Sequence, residues 1–577
     1  MIRKYHFRRI LWVLPAAILW LAGCNKNLDL LPESQLADAN FWKTTSDLSQ
    51  ACNYLYTFLS GLSTDDPTGY PTPLQDNYSD KTFGARSVGF GDGSSTAPAT
   101  SNEWSNYYKA IRAANNILQK APGVTGDAAT INRYVGEARF FRGMAYFELV
   151  KRFGDVPYIN KILTPTDSLL YSARTPRQAV IDSIYADLDF AAANCPQPDV
   201  MPAAEYGRIT RAAALSFKAR VALFEGTWDK FRGISTANTN LQVAVTASNT
   251  VITEGKHRLY TSQGAESYFY EFQYDGGANG NPIQSVPGPQ VNYTYATNKE
   301  NILVRLYGQN QSNNIASHSF GRTYLDQANI APTRVIMDAY LYKDGLPQGK
   351  SAFDSSNNQT SSLTEFQNRD PRMSMSVYNR TLITPSVGGL IPYVAGITYR
   401  YRKYWIVSDW TANVSFINFN VLRYAEVLLT NAEAKFELNG SISDAELNQT
   451  INEIRNRATG NDASKLPLLT NAFVTANGLD MRTEIRRERA IELSFEGLAY
   501  WDLLRWKTAE TVLPQAILGR KYFAAENPAG TTPNLLSGYV VLEAASFRKF
   551  NPAKDYLWAL PTQELALNTK LAQNPNW

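Results

Sequence analysis

Four glutamates, Glu484, Glu488, Glu492 and Glu496, stand at every fourth position of "EIRRERAIELSFEGLAYWDLLRW". On a helix that spacing stacks carboxylates on one face, and two carboxylates facing each other across a cleft are the machinery of glycoside hydrolysis. They are interleaved with Arg486, Arg487 and Arg489, however, so the pattern reads first as charge pairing along the helix or to its neighbours. Apart from His6 the chain has only His257 and His318, which leaves little material for histidine triads or multi-histidine metal sites. No nucleophile elbow, phosphate loop or zinc signature occurs. Binding is therefore the expected activity and catalysis, as a surface glycosidase, the lesser reading.

A second chemistry lies in two aromatic-bearing insertions. A sugar has a face of C–H groups and an edge of hydroxyls, so it is held by flat side chains with amides, carboxylates or guanidinium groups beside them. Residues 61–103 supply Asp76, Asn77, Tyr78, Asp80, Arg86 and Phe90. Residues 259–422 supply Tyr274, Asn292, Tyr293, Tyr295, Trp405 and Trp410. These twelve are the candidate ligand-binding residues, against the alternative that rings in strands simply pack. At about 1 kcal/mol for each exposed ring beyond what its buried area contributes, three or four rings give millimolar to micromolar binding. Trp104, Trp501, Trp506 and Trp558 read as core, from neighbours at helical or closing-strand spacing.

A third chemistry is that of Cys24. Arg3, Lys4, Arg8 and Arg9 precede a short apolar run from Ile10 to Leu21, less than the roughly 20 residues needed to span a bilayer. The pattern is that of a secretory leader, and Leu21-Ala22-Gly23-Cys24 is a bacterial lipobox, whose thiol carries diacylglycerol as a thioether. Residues 1–23 are expected to be removed. Cys24 would then anchor a protein that meets the membrane through its lipid alone, since several acyl chains give durable attachment.

Without residues 1–23 the chain has 52 Lys+Arg against 52 Asp+Glu, and this balance disfavours nucleic acid as a partner. Cys52 and Cys195 read as small core residues in preference to a disulfide. No cofactor is expected. Calcium is compatible with loops rich in acids and amides, yet no ligand spacing requires it.

The elements that must position these residues are mainly helical. Trp104, Tyr108, Ile111, Asn115 and Leu118 recur at helical intervals, and Val135, Ala138, Phe141, Ala145 and Leu149 follow across the Pro122-Gly123 break. Helix, break and helix recur at 176–194 with 210–231 and at 423–438 with 444–458, and a further helical stretch runs from about 480 to 507. Small alanines between large apolar residues, as in "AALSFKARVALFEG", allow the close approach of tetratricopeptide-type pairs. The expectation is a mainly α chain with about four such pairs as scaffold, at 40–60, 104–258 and 423–577. The two insertions would be loop-rich, with a few short strands or hairpins. Long aromatic-bearing loops are more often functional than disordered.

From Cys24 to Trp577 the segments "LDLLPESQL", "FWKTTSDLSQACNYLY", "EARFFRGMAYFELVKRFGDVPY", "LRYAEVLLTNAEAKFELNG", "INEIRNRA", "IRRERAIELSFEGLAYWDLLRW" and "YLWALPTQELALNTKLAQNPNW" follow one order. In that order they resemble the SusD/RagB family of outer-membrane nutrient-binding lipoproteins. The resemblance implies a single domain over 24–577, with four tetratricopeptide-like pairs supporting a loop-rich part. It implies a surface lipoprotein that captures oligosaccharide, or peptide in some members, and delivers it to a SusC-like TonB-dependent transporter. In the family the ligand contacts lie in variable loops, so no binding residue transfers by motif. "DAYLYKDGLPQ" and "NRDPRM" read as turns bridging scaffold and loops. "NKNLDLL" after Cys24 is less acidic than surface-export signals of this group often are.

Overall fold

Small residues set between large apolar ones decide how closely the helices meet. The computed structural model describes residues 41–84, 91–275, 291–308, 316–327, 330–354, 359–378, 398–406, 409, 412–526 and 533–577, so residues 1–23 and Cys24 lie outside the described residues. Its longer helices are α1 (Thr45–Leu55), α2 (Asn102–Lys120), α3 (Ala128–Phe153), α4 (Arg177–Asn194), α5 (Arg211–Lys230), α6 (Ala237–Glu254), α7 (Tyr424–Asn439), α8 (Ile451–Thr459), α9 (Met481–Glu492) and α10 (Ala499–Arg505). Side chains that accept from backbone N–H groups start several of them: Thr44 for α1, Ser101 for α2, Asp127 for α3, Thr210 for α5 and Asp480 for α9. From α2 to α7 each helix packs on the next. At Gly226 of α5 an added Cβ would stand 2.8 Å from the backbone nitrogen of Leu241 in α6, so the two axes approach closely only because that side chain is absent.

The mainly α class is as expected, but two helical assignments change. The partner of α7 is principally α6, not the 444–458 stretch that follows it. Ala244 of α6 and Ala434 of α7 are buried together with Ala222, Leu223 and Leu241 of the α5–α6 pair, and Asn431 donates to Ser248 Oγ at 3.0 Å. The second insertion thus leaves and re-enters between two helices packed on each other. The 480–507 stretch is two helices, because Phe495 (φ 61°) and Gly497 (φ 80°) take left-handed conformations. A Cβ on Gly497 would stand 2.4 Å from the carbonyl oxygen of Thr72, so the break is where the first insertion presses onto the scaffold.

Strands are few and short. β1 (Thr82–Phe83) pairs with β3 (Ala331–Pro332), β2 (Asn301–Arg305) with β4 (Phe419–Arg423), and β7 (Tyr539–Glu543) lies between β5 (Ile517–Lys521) and β6 (Leu535–Leu536), all antiparallel. The β2–β4 ladder closes the second insertion at its root.

At that root the chain buries charge. The Arg423 guanidinium reaches Glu300 (2.9 Å), Glu492 (2.7 Å) and Glu496 (2.7 Å). Arg457 bridges Glu300 and Glu492. Arg372 meets Asp370 (2.7 Å), Glu488 (2.6 Å) and Glu492 (3.1 Å). Arg455 meets Glu488 at 2.9 Å, and Lys403 meets Glu496 at 2.6 Å. Five cations face five carboxylates, every one of them buried. The glutamates of the regular spacing are therefore structural: Glu488, Glu492 and Glu496 sit in this cluster and Glu484 pairs with Arg487 at 3.1 Å. Three arginines around Glu492 hold its carboxyl well below the usual range despite its burial. Glu271, close to Glu300, is driven the opposite way by burial and by that neighbouring charge. A second buried group joins α5, α7, α9 and α10: Arg505 holds Glu433 (2.6 Å) and Asp502 (2.8 Å), Arg489 holds Asp502 (2.9 Å), and Trp506 donates to Glu433 (2.6 Å).

Removing one partner of a buried charge pair costs about 3–5 kcal/mol, because the other charge is stranded. Arg423→Met is expected to lower stability by at least that much, with Arg423→Lys intermediate, since one ammonium cannot serve three carboxylates. Urea unfolding of the two variants measures this, and an unchanged midpoint for Arg423→Met would remove the role assigned to the cluster.

Candidate ligand-binding loops

The first insertion folds around a carboxylate. Asp66 accepts from the backbone N–H groups of Gly61 (2.9 Å) and Thr68 (2.9 Å) and from the hydroxyls of Thr68 (2.7 Å) and Thr72 (2.6 Å). The 3-10 turn Thr72–Tyr78 then turns Gln75, Asp76 and Asn77 inward. Asp76 accepts from Ala499 N–H (2.9 Å) and Gly497 N–H (3.3 Å), so it caps the start of α10, and burial pushes its carboxyl up to about 7. Gln75 accepts from the Trp501 indole at 3.3 Å, and Asn77 donates to the Tyr70 hydroxyl at 3.3 Å. Tyr78 is half-buried, with Tyr70 stacked at 6.4 Å and Tyr500 edge-on at 5.6 Å. Asp80 is buried and pairs with Lys81 at 3.2 Å.

In the second insertion the Tyr274 hydroxyl donates to Asp409 (2.9 Å) and accepts from Phe416 N–H (2.8 Å), and Ser415 Oγ also donates to Asp409 (2.5 Å). Half-buried Asn292 acts as a short piece of strand: it donates to the carbonyls of Tyr307 (3.1 Å) and Phe416 (2.7 Å) and accepts from Asn418 N–H (2.9 Å). Tyr293 is buried and donates to the Tyr260 hydroxyl at 3.3 Å. Tyr295 is half-buried, donates to the Lys256 carbonyl at 2.5 Å and meets the His257 ring edge-on at 5.6 Å. Trp405 is buried, edge-on to Tyr378 at 5.6 Å, and its indole N–H has no partner among the described residues. Arg86, Phe90 and Trp410 lie outside the described residues.

Asp76, Asn77, Tyr274, Tyr293 and Trp405 are therefore internal supports of the loops, while Tyr78, Asn292 and Tyr295 retain partial access to solvent. Trp104, Trp501 and Trp506 are buried as expected, whereas Trp558 is half-buried. Cys52 and Cys195 are free, buried thiols. Among the described residues no group of three or more His, Cys, Asp or Glu is placed to hold a metal ion, and no helix is long and apolar enough to cross a membrane.

What sequence reasoning missed is the stitching between the insertions. Arg305 pairs with Asp65, Tyr307 accepts from Leu62 N–H at 2.9 Å, Thr82 and Tyr401 share a hydrogen bond of 2.7 Å, and Thr333 donates to the Asp80 carbonyl at 2.6 Å. With β1–β3 these contacts join segments more than two hundred residues apart into one loop layer. No periodicity could have announced them.

Residues 28–223 match a family model described as starch-binding associating with outer membrane, and residues 395–577 match the model of the SusD family, SusD_RagB. The two stretches take in both ends of the fold just described. The chain belongs to the SusD/RagB family. SusD-like protein P2 of Formosa agariphila is 25% identical over 96% of this chain and 97% of its own. A SusD-like carbohydrate binding protein from Bacteroides fragilis shares the fold with a TM-score of 0.72 at 24% identity, covering 92% of this chain and all of the other. Surface glycan-binding protein A from Bacteroides fluxus does so with a TM-score of 0.60 at 19% identity, over 93% of this chain and all of its own.

In this SusD-like chain both histidines of the described residues, His257 and His318, are buried, and burial keeps them neutral at pH 7. His318 donates from Nε2 to the Ile417 carbonyl (3.1 Å) and accepts at Nδ1 from Phe320 N–H (3.2 Å), and burial lowers its pKa to about 4. His257 is likewise lowered to about 4. An unfolded histidine titrates near pH ~6.5. Stability is therefore complete above that pH and is lost as pH falls toward about 4, by up to about 3 kcal/mol per histidine. His318→Gln is expected to unfold more easily at pH 8 yet to lose less between pH 6.5 and 4, which thermal unfolding across that window measures.

Proposed function

We propose that this SusD-like chain is a lipid-anchored protein of the outer membrane that captures oligosaccharide on its loop layer and passes it to a SusC-like TonB-dependent transporter. The observation that carries the reading is the family membership at both ends of the chain. The fold supports it: two aromatic-bearing insertions join into one layer on a helical body, which separates a ligand-facing side from a side free to meet a transporter. The names of the relatives, a carbohydrate binding protein and a surface glycan-binding protein among them, point to the same ligand class. The anchor is Cys24 of the lipobox, and the face exposed is the cell exterior. The ligand contacts are assigned to the accessible rings and polar groups of the layer, Tyr78, Asn292 and Tyr295, together with Arg86, Phe90 and Trp410.

Gel retardation by a panel of polysaccharides tests the ligand. Retention by at least one glycan, lost on combined Phe90→Ala and Trp410→Ala replacement, is expected. Retention that survives removal of all the assigned aromatics would sink the site assignment. Peptides co-purifying without glycan would instead mark a peptide-capturing protein, and release of reducing ends a glycosidase. Cys24→Ser is expected to move the protein out of the membrane fraction and to abolish fatty-acid labelling. A β-barrel transporter is expected to co-purify with the wild-type chain from detergent extracts.

A further inference from the structure

The turn Thr72–Tyr78 of the first insertion is seated on the scaffold through one carboxylate. Asp76 is 1% exposed, and its two oxygens accept from Ala499 N–H (2.9 Å) and Gly497 N–H (3.3 Å) at the break between α9 and α10. The neighbouring Gln75 adds one neutral contact, to the Trp501 indole.

The charges that face Asp76 are already engaged. From its own insertion comes Lys81, held by Asp80 at 3.2 Å. From α9 comes Arg489, held by Asp502 of α10 at 2.9 Å, and Asp502 is also bound by Arg505 at 2.8 Å. From the second insertion comes Tyr401, whose hydroxyl shares a hydrogen bond with Thr82 and whose ring stacks on Phe495 at 4.0 Å. Among the described residues no cation forms an ion pair with Asp76 itself.

This sets Asp76 apart from Glu492, which is equally buried but surrounded by three arginines. Two backbone N–H groups must replace all the water that an ionised Asp76 would hold. The adjoining cavity, walled by Lys81, Arg489, Ser494 and Trp506, measures ≈ 10 Å³, room for about one water molecule. Burial outweighs the two N–H donors and the field of Lys81, the charge of Asp502 adds to it, and the carboxyl is pushed up to about 7. A neutral carboxyl keeps a carbonyl oxygen for the Ala499 N–H and needs no counter-charge.

We propose that the seating of the first insertion on the α9–α10 break is coupled to a proton on Asp76: the neutral carboxyl holds the turn in place, and the ionised one loosens it toward water. Seating takes one proton from solvent and unseating returns it. Because the seated value lies above the unfolded one of about 3.9, this contribution is complete in acid and is lost as pH rises through about 7. The sign is opposite to that of the two histidines. Tyr78 lies two residues further along the same turn, so the position of that accessible ring follows the seat. The coupling does not depend on what the loop layer binds.

Hydrogen exchange on the full chain between pH 6 and 8.5, read by mass spectrometry and corrected for the intrinsic chemistry, tests it. In peptides covering 72–84 and 493–505 the wild type is expected to exchange about ten-fold faster for each pH unit above 7, as release of one proton on opening requires. Peptides of α5 and α6 are expected to show no such slope. Asp76→Asn, neutral at every pH, is expected to lose the slope, and its unfolding temperature relative to the wild type is expected to rise between pH 6 and 8.5, a difference in which the histidines cancel. Asp66→Asn alters the other acid of this insertion that is buried without a cation among the described residues, and it should leave the slope at 493–505 unchanged. A wild-type slope at 493–505 no steeper than that of α5 and α6, the same slope in Asp76→Asn, or its loss in Asp66→Asn would overturn the proposal. Should Asp76→Asn fail to fold, the wild-type profile and Asp66→Asn decide it.

Discussion

Five positive and five negative side chains must find one another out of water, and much of the molecule is arranged so that they do. Arg423 ends β4 just before α7, Arg455 and Arg457 come from α8, and Glu488 and Glu492 come from α9. Glu496 lies in the break between α9 and α10, and Arg372, Asp370, Lys403 and Glu300 come from the second insertion. A well-packed apolar cluster of the same volume would often be as stable. What the charges add is direction, because a guanidinium offers five donors in a fixed fork and accepts few alternative arrangements. The cluster therefore locks the root of the insertion to the helical body in one register.

From that root the loop layer is built by single polar side chains doing the work of secondary structure. Asp66 gathers a turn, Asp76 caps a helix from the other end of the chain, Asn292 imitates a strand and Asp409 holds Tyr274 and Ser415. Each satisfies backbone or hydroxyl groups that irregular chain would otherwise leave unmet. A loop layer supported this way can vary its outer residues while its inner ones remain fixed, as a single fold that carries different sites requires.

How far the sequence could be read follows from the range of each interaction. Helical periodicity and capping act within a few residues, so the scaffold helices and the pairing role of Glu484 to Glu496 were legible. The Phe495–Gly497 break was not, because the segment it accommodates, at Thr72, lies more than four hundred residues away. The α6–α7 pairing escaped for the same reason, with the whole second insertion standing between the two helices. Among the candidate site residues the residue types were informative and their exposure was not. Asp76, Asn77, Tyr274, Tyr293 and Trp405 have the chemistry of ligand contacts and serve inside the protein.

By itself the sequence determined what is written locally or in order: a Leu-Ala-Gly-Cys motif after a basic and apolar start, helices punctuated by breaks, two aromatic insertions, and the succession of segments that marks the SusD/RagB family. Tertiary structure alone decided which arginine meets which glutamate, which rings face inward, and which segments of the two insertions are stitched together. Those outcomes depend on desolvation and on contacts between distant segments, and neither is encoded in the spacing of neighbours along the chain.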